Sequence, residues 1–197
     1  MKFLGSTREI RTVSIDSSVI FDSIVPFVSS TSGLSSADKE RINDSLHLIE
    51  FLFSVKVNTI GTDIVRKEIS YNNSLFSKLY DSIFDNTAII NKETKRLAKV
   101  YVEQLNIKPS DALIIASLSE ARCDCLLSWD KEDIVSNRTV LGITKINKER
   151  NKGVPLLITP KDFLQRVFLS QGKHIVFSPN PLPLELHLRF SSSTDSL

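Results

Sequence analysis

Three aspartates stand at the borders of apolar segments in the sequence. Asp16 ends the β-prone run TVSID, Asp130 follows the apolar run CDCLLSW, and Asp111 opens an apolar helix-like run after Lys-Pro-Ser. If these segments belong to one α/β sheet, the carboxylates converge, and converging carboxylates repel each other unless a cation joins them. Hard Mg²⁺ or Mn²⁺ takes carboxylate oxygens and water as ligands, and it can activate water for attack on a phosphodiester. The three acids therefore predict a divalent metal site suited to hydrolysis of nucleic acid.

Asp111 and Asp130, each taken alone, also have ordinary structural explanations. Asp111 follows Pro109 and Ser110, and a carboxylate in the first turn of a helix interacts favourably with the helix dipole and the free amides. Asp130 alone would be a turn residue. Only the combination of acids at the ends of several buried elements argues for a metal site.

The elements that would position these acids alternate between strand-like and helix-like segments. The segments predicted as strands are TVSID at 12–16, VNTIGT at 57–62, CDCLLSW at 123–129, TVLGITKI at 139–146 and VPLLIT at 154–159. The segments predicted as helices are SSVIFDSIVPF at 17–27, which Pro26 is expected to interrupt, a long amphipathic run after Ser35, DIVRKEI at 63–69, two stretches with helical periodicity through Leu75, Leu79 and Ile83 and through Leu97, Tyr101 and Leu105, ALIIASLSEA at 112–121, KEDIVSN at 131–137 and PKDFLQRV at 160–167. Such alternation favours an α/β fold with a parallel, helix-covered sheet, whose ligands gather outside the carboxyl ends of the strands.

Several helix starts can be predicted from capping residues. Ser35 and Asp38 fit a capping box at the start of the long amphipathic helix. Thr62 can cap the helix that follows the second strand. Ser110 fits the N-cap of the apolar helix, which would place Asp111 in its first turn.

Composition sets broad limits on the function. The 197 residues are 41% hydrophobic and 24% charged, which suits one soluble domain with a sizeable core. With 25 basic and 23 acidic residues the net charge is +2, so a polyanion site has to come from local clustering. Cys123 and Cys125 are separated by one residue and lack further Cys or His at zinc-ligand spacing, which favours a reducing cytoplasm. No apolar run approaches 18 residues, so neither a membrane span nor a signal peptide is predicted.

Five stretches together resemble one known family. They are VSIDSS at 13–18, TDIVRKEI at 62–69, PSDALIIAS at 109–117, LLSWDKED at 126–133 and LLITPKDFL at 156–164. In this order they resemble the PIN-domain family, and particularly its VapC-type toxin ribonucleases, over roughly residues 12–168. The resemblance implies a three-layer α/β/α sandwich with a central parallel sheet, and a metal-dependent endoribonuclease that uses Mg²⁺ or Mn²⁺. It places the nuclease domain at 1–170 and leaves 171–197 as a C-terminal arm or tail, partly disordered.

The resemblance also implies a role for each of five acids. Asp16 matches the first acid of the family and would bind metal, and Glu68 matches the second and would hold metal or orient water. Asp111 matches the third acid and would be a main metal ligand, and Asp130 matches the fourth and would bind metal directly or through water. Asp133 matches an additional acid often found in the same turn. The nucleophile would be a metal-activated water.

The sequence departs from the family pattern at several positions. Ser128 stands where the family usually has Thr, and Ile134 replaces the usual Phe beside Asp133. Asp63 lies close enough to Glu68 that the helix could be matched with a shift of one turn. The segment between the first and second acids is longer than in the compact toxins.

The resemblance suggests RNA as substrate, a homodimer and, for a toxin, a small antitoxin that covers the acidic groove. Phe51, Leu52 and Phe53 on the long helix are apolar candidates for such a contact, and they could equally be core residues. The alternative function is a catalytically idle PIN-like module that binds RNA or a protein partner. Because all four expected positions are acidic, the sequence favours the enzyme.

Two further features have competing interpretations. The basic residues of KINKERNKG are predicted to lie in a loop, where they could track an RNA backbone or simply be solvated; they are Lys145, Lys148, Arg150 and Lys152. Trp129 precedes Asp130 and could stack on a base or belong to the core.

Overall fold

A five-stranded, all-parallel sheet forms the centre of the computed structural model, which describes residues 9–55, 57–70 and 74–170. The strands are β1 (Thr12–Ile15), β2 (Asn58–Thr62), β3 (Asn86–Ala88), β4 (Cys125–Leu127) and β5 (Leu156–Ile158). Their order across the sheet is β3-β2-β1-β4-β5. The chain therefore moves outward from β1 through β2 to β3, and then returns to the other side of β1 to form β4 and β5.

Eight helices flank the sheet within the described residues. They are α1 (Ser17–Val28), α2 (Ser36–Ser54), α3 (Asp63–Ser70), α4 (Ser74–Ile83), α5 (Lys92–Leu105), α6 (Pro109–Glu120), α7 (Asn137–Glu149) and α8 (Pro160–Ser170). On one side α2 packs against α1 and α8, and on the other α5 packs against α6 and α7. This arrangement confirms the predicted three-layer α/β/α sandwich with a central parallel sheet. The predicted C-terminal arm, 171–197, lies outside the described residues.

The reversal in strand order occurs between β1 and β4. Ile15 pairs with Leu127 in register, and the N–H of Asp16 donates to the carbonyl of Leu127 at 2.9 Å. Parallel strands covered on both faces are apolar along their whole length, and every residue of β4 is buried. The residues that follow β1 and β4 are thus brought side by side at the edge of the sheet where such folds bind ligands.

The start of α6 differs slightly from the prediction. Lys108 is the N-cap and Pro109 takes the first helical position, because the missing N–H of proline costs nothing there. The predicted N-cap, Ser110, is therefore inside the helix, and Asp111 is in the first turn as expected. The other two caps are confirmed: Ser35 Oγ accepts from the N–H of Asp38 at 3.1 Å, and Thr62 Oγ1 accepts from the N–H of Val65 at 3.2 Å.

The predicted strand TVLGITKI is wrong, because these residues lie within α7. The β-branched residues favoured a strand, but Thr139, Ile143 and Ile146 are buried at helical spacing while Leu141 is 70% exposed. The basic stretch predicted as a loop is helical up to Glu149 for the same reason. The predicted helix at 131–137 is also wrong: turns occupy most of this stretch, which precedes α7.

No helix of the described part of the chain is long and apolar enough to cross a membrane.

Candidate metal centre

Three of the five predicted acids meet beside the carboxyl end of β4. Asp111, Asp130 and Asp133 each offer one carboxylate oxygen, and these three oxygens lie within 4.8 Å of one another. All three side chains are partly accessible to solvent. Oxygen atoms from several carboxylates at such separations are the ligands that Mg²⁺ and Mn²⁺ prefer.

Asp130 organises the turn that carries two of these acids. Its Oδ1 accepts from the backbone N–H of Glu132 at 3.0 Å and of Asp133 at 2.8 Å. Its own N–H donates to Ser128 Oγ at 3.0 Å. An aspartate that binds the amides two and three residues ahead fixes a tight turn, so Asp133 is returned to the same side as Asp130. Oδ2 of Asp130 is left facing the cluster.

Asp111 lies in an environment that disfavours its negative charge. Its Oδ2 is buried and has no hydrogen-bond partner. Burial, as the largest cause, and the negative charges of Asp16 and Asp130 together raise the pKa of Asp111 to about 6, against the opposing charge of Lys108. A buried carboxylate oxygen without a donor costs free energy that a bound cation would recover. The residues present therefore fit a divalent metal ion.

Asp16 lies deeper than the cluster of three and is held by hydroxyl groups. It is only 6% exposed, and its Oδ2 accepts from Ser18 Oγ at 2.7 Å and from Ser128 Oγ at 2.9 Å. Its carboxylate does not belong to the group within 4.8 Å, yet it is the carboxylate with the largest effect on the pKa of Asp111. Asp16 thus adds negative charge behind Asp111.

Glu68 approaches the site from α3. Ser17 Oγ donates to Glu68 Oε2 at 2.7 Å, and burial followed by the charge of Asp16 raises the pKa of Glu68, against the hydrogen bond from Ser17. The charge of Asp63, the alternative match, acts on Tyr80, whose pKa is raised mainly by burial. The structure therefore places Glu68 beside Asp16, and Asp63 beside a different neighbour.

Lys108 is a member of the site that the sequence analysis did not identify. Its Nζ lies 2.9 Å from Asp133 Oδ2 and 3.8 Å from Asp130 Oδ2. The hydrogen bond and charge of Asp133 raise the pKa of Lys108, so the ammonium is firmly charged. The signal available in the sequence was its position three residues before Asp111.

A cavity of about 360 Å³ includes Trp129 and Lys131, the sequence neighbours of Asp130, and none of the five predicted acids lines it. It is lined by Ala37, Asp38, Glu40, Arg41, Asp44, Trp129, Lys131 and Lys161. Trp129 is half-buried, packs against the core and donates from Nε1 to Ser45 Oγ at 2.7 Å. Lys161 Nζ is 2.6 Å from Glu40 Oε1. Trp129 therefore both packs against the core and lines this cavity.

The basic residues of 145–152 lie away from this edge. Lys152 and Arg150 come just before β5, and the N–H of Gly153 donates to the carbonyl of Ser119 near the start of β4. They are therefore near the amino ends of the strands, whereas Asp130 follows a carboxyl end. Lys152 is also paired with Glu120 at 2.8 Å. This placement favours the solvated interpretation over contact with an RNA bound at the acids.

The apolar candidates on α2 divide between core and surface. Phe51 packs edge-on against Phe163 with 6.3 Å between ring centroids, and Leu52 is buried. Phe53 is 44% exposed and lines a separate cavity of about 350 Å³. Of these three candidates, Phe53 is the one exposed for a contact with another molecule.

Neither a scan against protein-family models nor a search of curated proteins finds a match for this chain.

Proposed function

We propose that this protein is a metal-dependent endoribonuclease that hydrolyses RNA phosphodiester bonds with Mg²⁺ or Mn²⁺. Two observations about Asp111 carry the proposal: its buried Oδ2 has no hydrogen-bond partner, and it offers a carboxylate oxygen within 4.8 Å of oxygens from Asp130 and Asp133. Structural acids are normally paired or hydrogen-bonded, whereas a metal site keeps oxygens free for the ion. The location at the reversal of strand order, where α/β folds bind ligands, supports the same conclusion.

Each acid has a role in this proposal. Asp111, Asp130 and Asp133 would hold the ion, with Asp16 as a further ligand or charge behind them. Glu68, held by Ser17, would hold metal or orient the attacking water. The bound ion would supply an activated water and neutralise charge that develops on the phosphate.

The choice of RNA, rather than DNA, comes from the resemblance of the five motifs to the PIN-domain family. The same resemblance motivates three finer proposals: a toxin role, an antitoxin partner that covers the acids, and a homodimer. Like the main proposal, all three require that the acids remain open to a polyanionic substrate when no antitoxin is bound.

The direct test is cleavage of a labelled panel of single-stranded RNAs, with a DNA panel of matched sequence, in Mg²⁺, Mn²⁺ or EDTA. Wild-type protein should cut RNA only with metal, and Asp111→Asn should reduce the rate by at least about a hundredfold. Asp81→Asn is the matched control, because Asp81 is 55% exposed on α4 and pairs only with Arg66 among the contacts described. It should cut RNA at the wild-type rate.

The alternative function, a catalytically idle module, predicts a different result. A folded protein that binds RNA with the same affinity in EDTA and in Mg²⁺, and that cuts nothing, would replace the nuclease proposal with this one. Equal RNA cutting by wild type and Asp111→Asn would point to a contaminating nuclease and reject the proposed site.

A further inference from the structure

We propose that Lys108 is a built-in counterion of the acidic cluster, which a divalent metal ion must displace from Asp130 and Asp133 in order to bind. The inference rests on the metal site of the proposed function, and it assigns a positioning role to a residue outside the set of acids. Lys108 would thereby set the metal concentration at which the site becomes loaded.

The contacts of Lys108 place its charge on the oxygens that a metal ion needs. Its Nζ is 2.9 Å from Asp133 Oδ2 and 3.8 Å from Asp130 Oδ2. Oδ1 of Asp130 is already used by the N–H groups of Glu132 and Asp133, so Oδ2 is the oxygen of Asp130 left for a cation. An ammonium and a divalent ion cannot share these positions, because like charges repel at such distances.

Differences in exposure make the displacement feasible. The side chain of Lys108 is 64% exposed, whereas those of Asp130 and Asp133 are 27% and 14% exposed. The acids are therefore fixed by their surroundings, and the lysine reaches them from solvent on a flexible chain. A well-hydrated ammonium loses little free energy when it leaves such a pair for water.

The need for a counterion follows from the crowding of charge. Asp111 has a buried oxygen without a donor, and the charges of Asp16 and Asp130 act on it. In the metal-free protein, Lys108 is the cation that forms ion pairs with this cluster among the described residues. It reduces the repulsion between the acids and preserves their arrangement until a metal ion takes over.

The experiment measures Mn²⁺ affinity by isothermal titration calorimetry for wild type, Lys108→Gln and Lys131→Gln. Loss of the competing ammonium should tighten Mn²⁺ binding in Lys108→Gln by about fivefold, because a partly exposed ion pair changes an equilibrium constant by about this factor. Lys131→Gln is the matched control, because it removes the same charge from a neighbouring exposed residue that has no ion pair among the described contacts. It should change the affinity by less than about twofold.

Two results would overturn the proposal. One is a Lys108→Gln protein that binds Mn²⁺ no more tightly than wild type, and the other is an equal gain in Lys131→Gln, which would reflect overall charge alone. Lys108→Arg keeps the calorimetric test usable if the glutamine variant fails to fold. Its guanidinium can hold both carboxylates, so Mn²⁺ should bind no more tightly than to wild type, and tighter binding would contradict the counterion role.

Failure of this inference can be told apart from failure of the proposed function. Tighter Mn²⁺ binding in Lys108→Gln without RNA cleavage by any variant would keep the counterion role and reject the ribonuclease. RNA cleavage that depends on metal, with unchanged Mn²⁺ affinity in Lys108→Gln, would keep the ribonuclease and reject the counterion role.

Discussion

The hydroxyl of Ser128 joins two of the predicted acids. It donates to Asp16 Oδ2 at 2.9 Å and accepts from the N–H of Asp130 at 3.0 Å. Asp16 follows β1, and Asp130 follows β4, so one buried hydroxyl links the ends of the two strands between which the sheet reverses its order. Ser128, at the position where the resembled family usually has Thr, thus keeps a hydroxyl group. This hydroxyl connects the residues that follow β1 and β4.

Ser128→Ala should destabilise the protein and weaken metal binding. It leaves the buried Asp16 carboxylate with Ser18 as its remaining hydroxyl donor and removes the acceptor of the Asp130 N–H. Loss of such buried hydrogen bonds costs about 1–3 kcal/mol in the free energy of unfolding, measured by urea denaturation. Ser128→Thr retains the hydroxyl and should lose much less. If the alanine variant is as stable as wild type, the link between the strand ends contributes nothing.

Asp111→Asn should stabilise the metal-free protein at neutral pH. The pKa of Asp111 is raised to about 6 from its ordinary value of 3.8, chiefly by burial, so the folded state binds a proton more strongly than the unfolded state between these values. Its contribution to the free energy of unfolding therefore falls as the pH rises through this window, and it levels off above about pH 6. Asparagine does not ionise, so the variant does not lose this contribution to the free energy of unfolding. After allowance for partial solvent screening, the gain at pH 7.5 is about 1–2 kcal/mol.

The measurement is urea denaturation of both proteins in EDTA at about pH 4 and pH 7.5. Other carboxylates with raised pKa, such as Asp22 and Asp44, are present in both proteins and largely cancel in the difference. The gain should be small at the lower pH, where Asp111 is largely protonated. A gain of the same size at both pH values would show that its charge is not the cause. Added Mn²⁺ should then stabilise wild type more than the variant.

The part of the site that could be predicted from sequence is the part that depends on the ends of elements. Asp16 and Asp130 follow apolar strands, and any parallel sheet brings such ends to one edge. Asp111 was predictable because Pro109 marks a helix start. These predictions needed only the local pattern and the general topology of α/β folds.

The parts that could not be predicted depend on tertiary contacts. Lys108 meets Asp133 only because the turn held by Asp130 brings Asp133 back toward the start of α6. The region of α7 was predicted as a strand because its β-branched residues suit both structures, and packing of Ile143 and Ile146 into the core decided for the helix. Local propensity was overridden there by burial of one helical face.

Gly61→Ala should destabilise the sheet beside the site. A Cβ at Gly61 would lie 2.0 Å from the hydroxyl oxygen and 2.5 Å from Cζ of Tyr80. Tyr80 cannot move away easily, because it is 1% exposed and its hydroxyl donates to the carbonyl of Thr62 at 3.0 Å. Overpacking of this kind costs about 1–3 kcal/mol in the free energy of unfolding.

The matched control for this change is Gly33→Ala. A Cβ at Gly33 would meet nothing within 4 Å, so this variant should stay within about 0.5 kcal/mol of wild type in urea denaturation. Equal stability of the two alanine variants would mean that Tyr80 can be displaced at little cost. Gly61 would then not be required for the packing of β2 against α4.

Glu68→Gln should weaken Mn²⁺ binding and RNA cleavage without unfolding the protein. Glu68 lies outside the group of three carboxylates within 4.8 Å, but Ser17 Oγ fixes its Oε2 at 2.7 Å, and the charge of Asp16 acts on it. Removal of a carboxylate that orients the metal ligands typically lowers metal affinity or activity by about tenfold. This loss is smaller than the one expected for Asp111→Asn. Asp63→Asn is the matched control on the same helix, since the charge of Asp63 acts on Tyr80. Calorimetry and RNA cleavage should show the loss in Glu68→Gln alone; a larger loss in Asp63→Asn would assign the second acid of the site to Asp63.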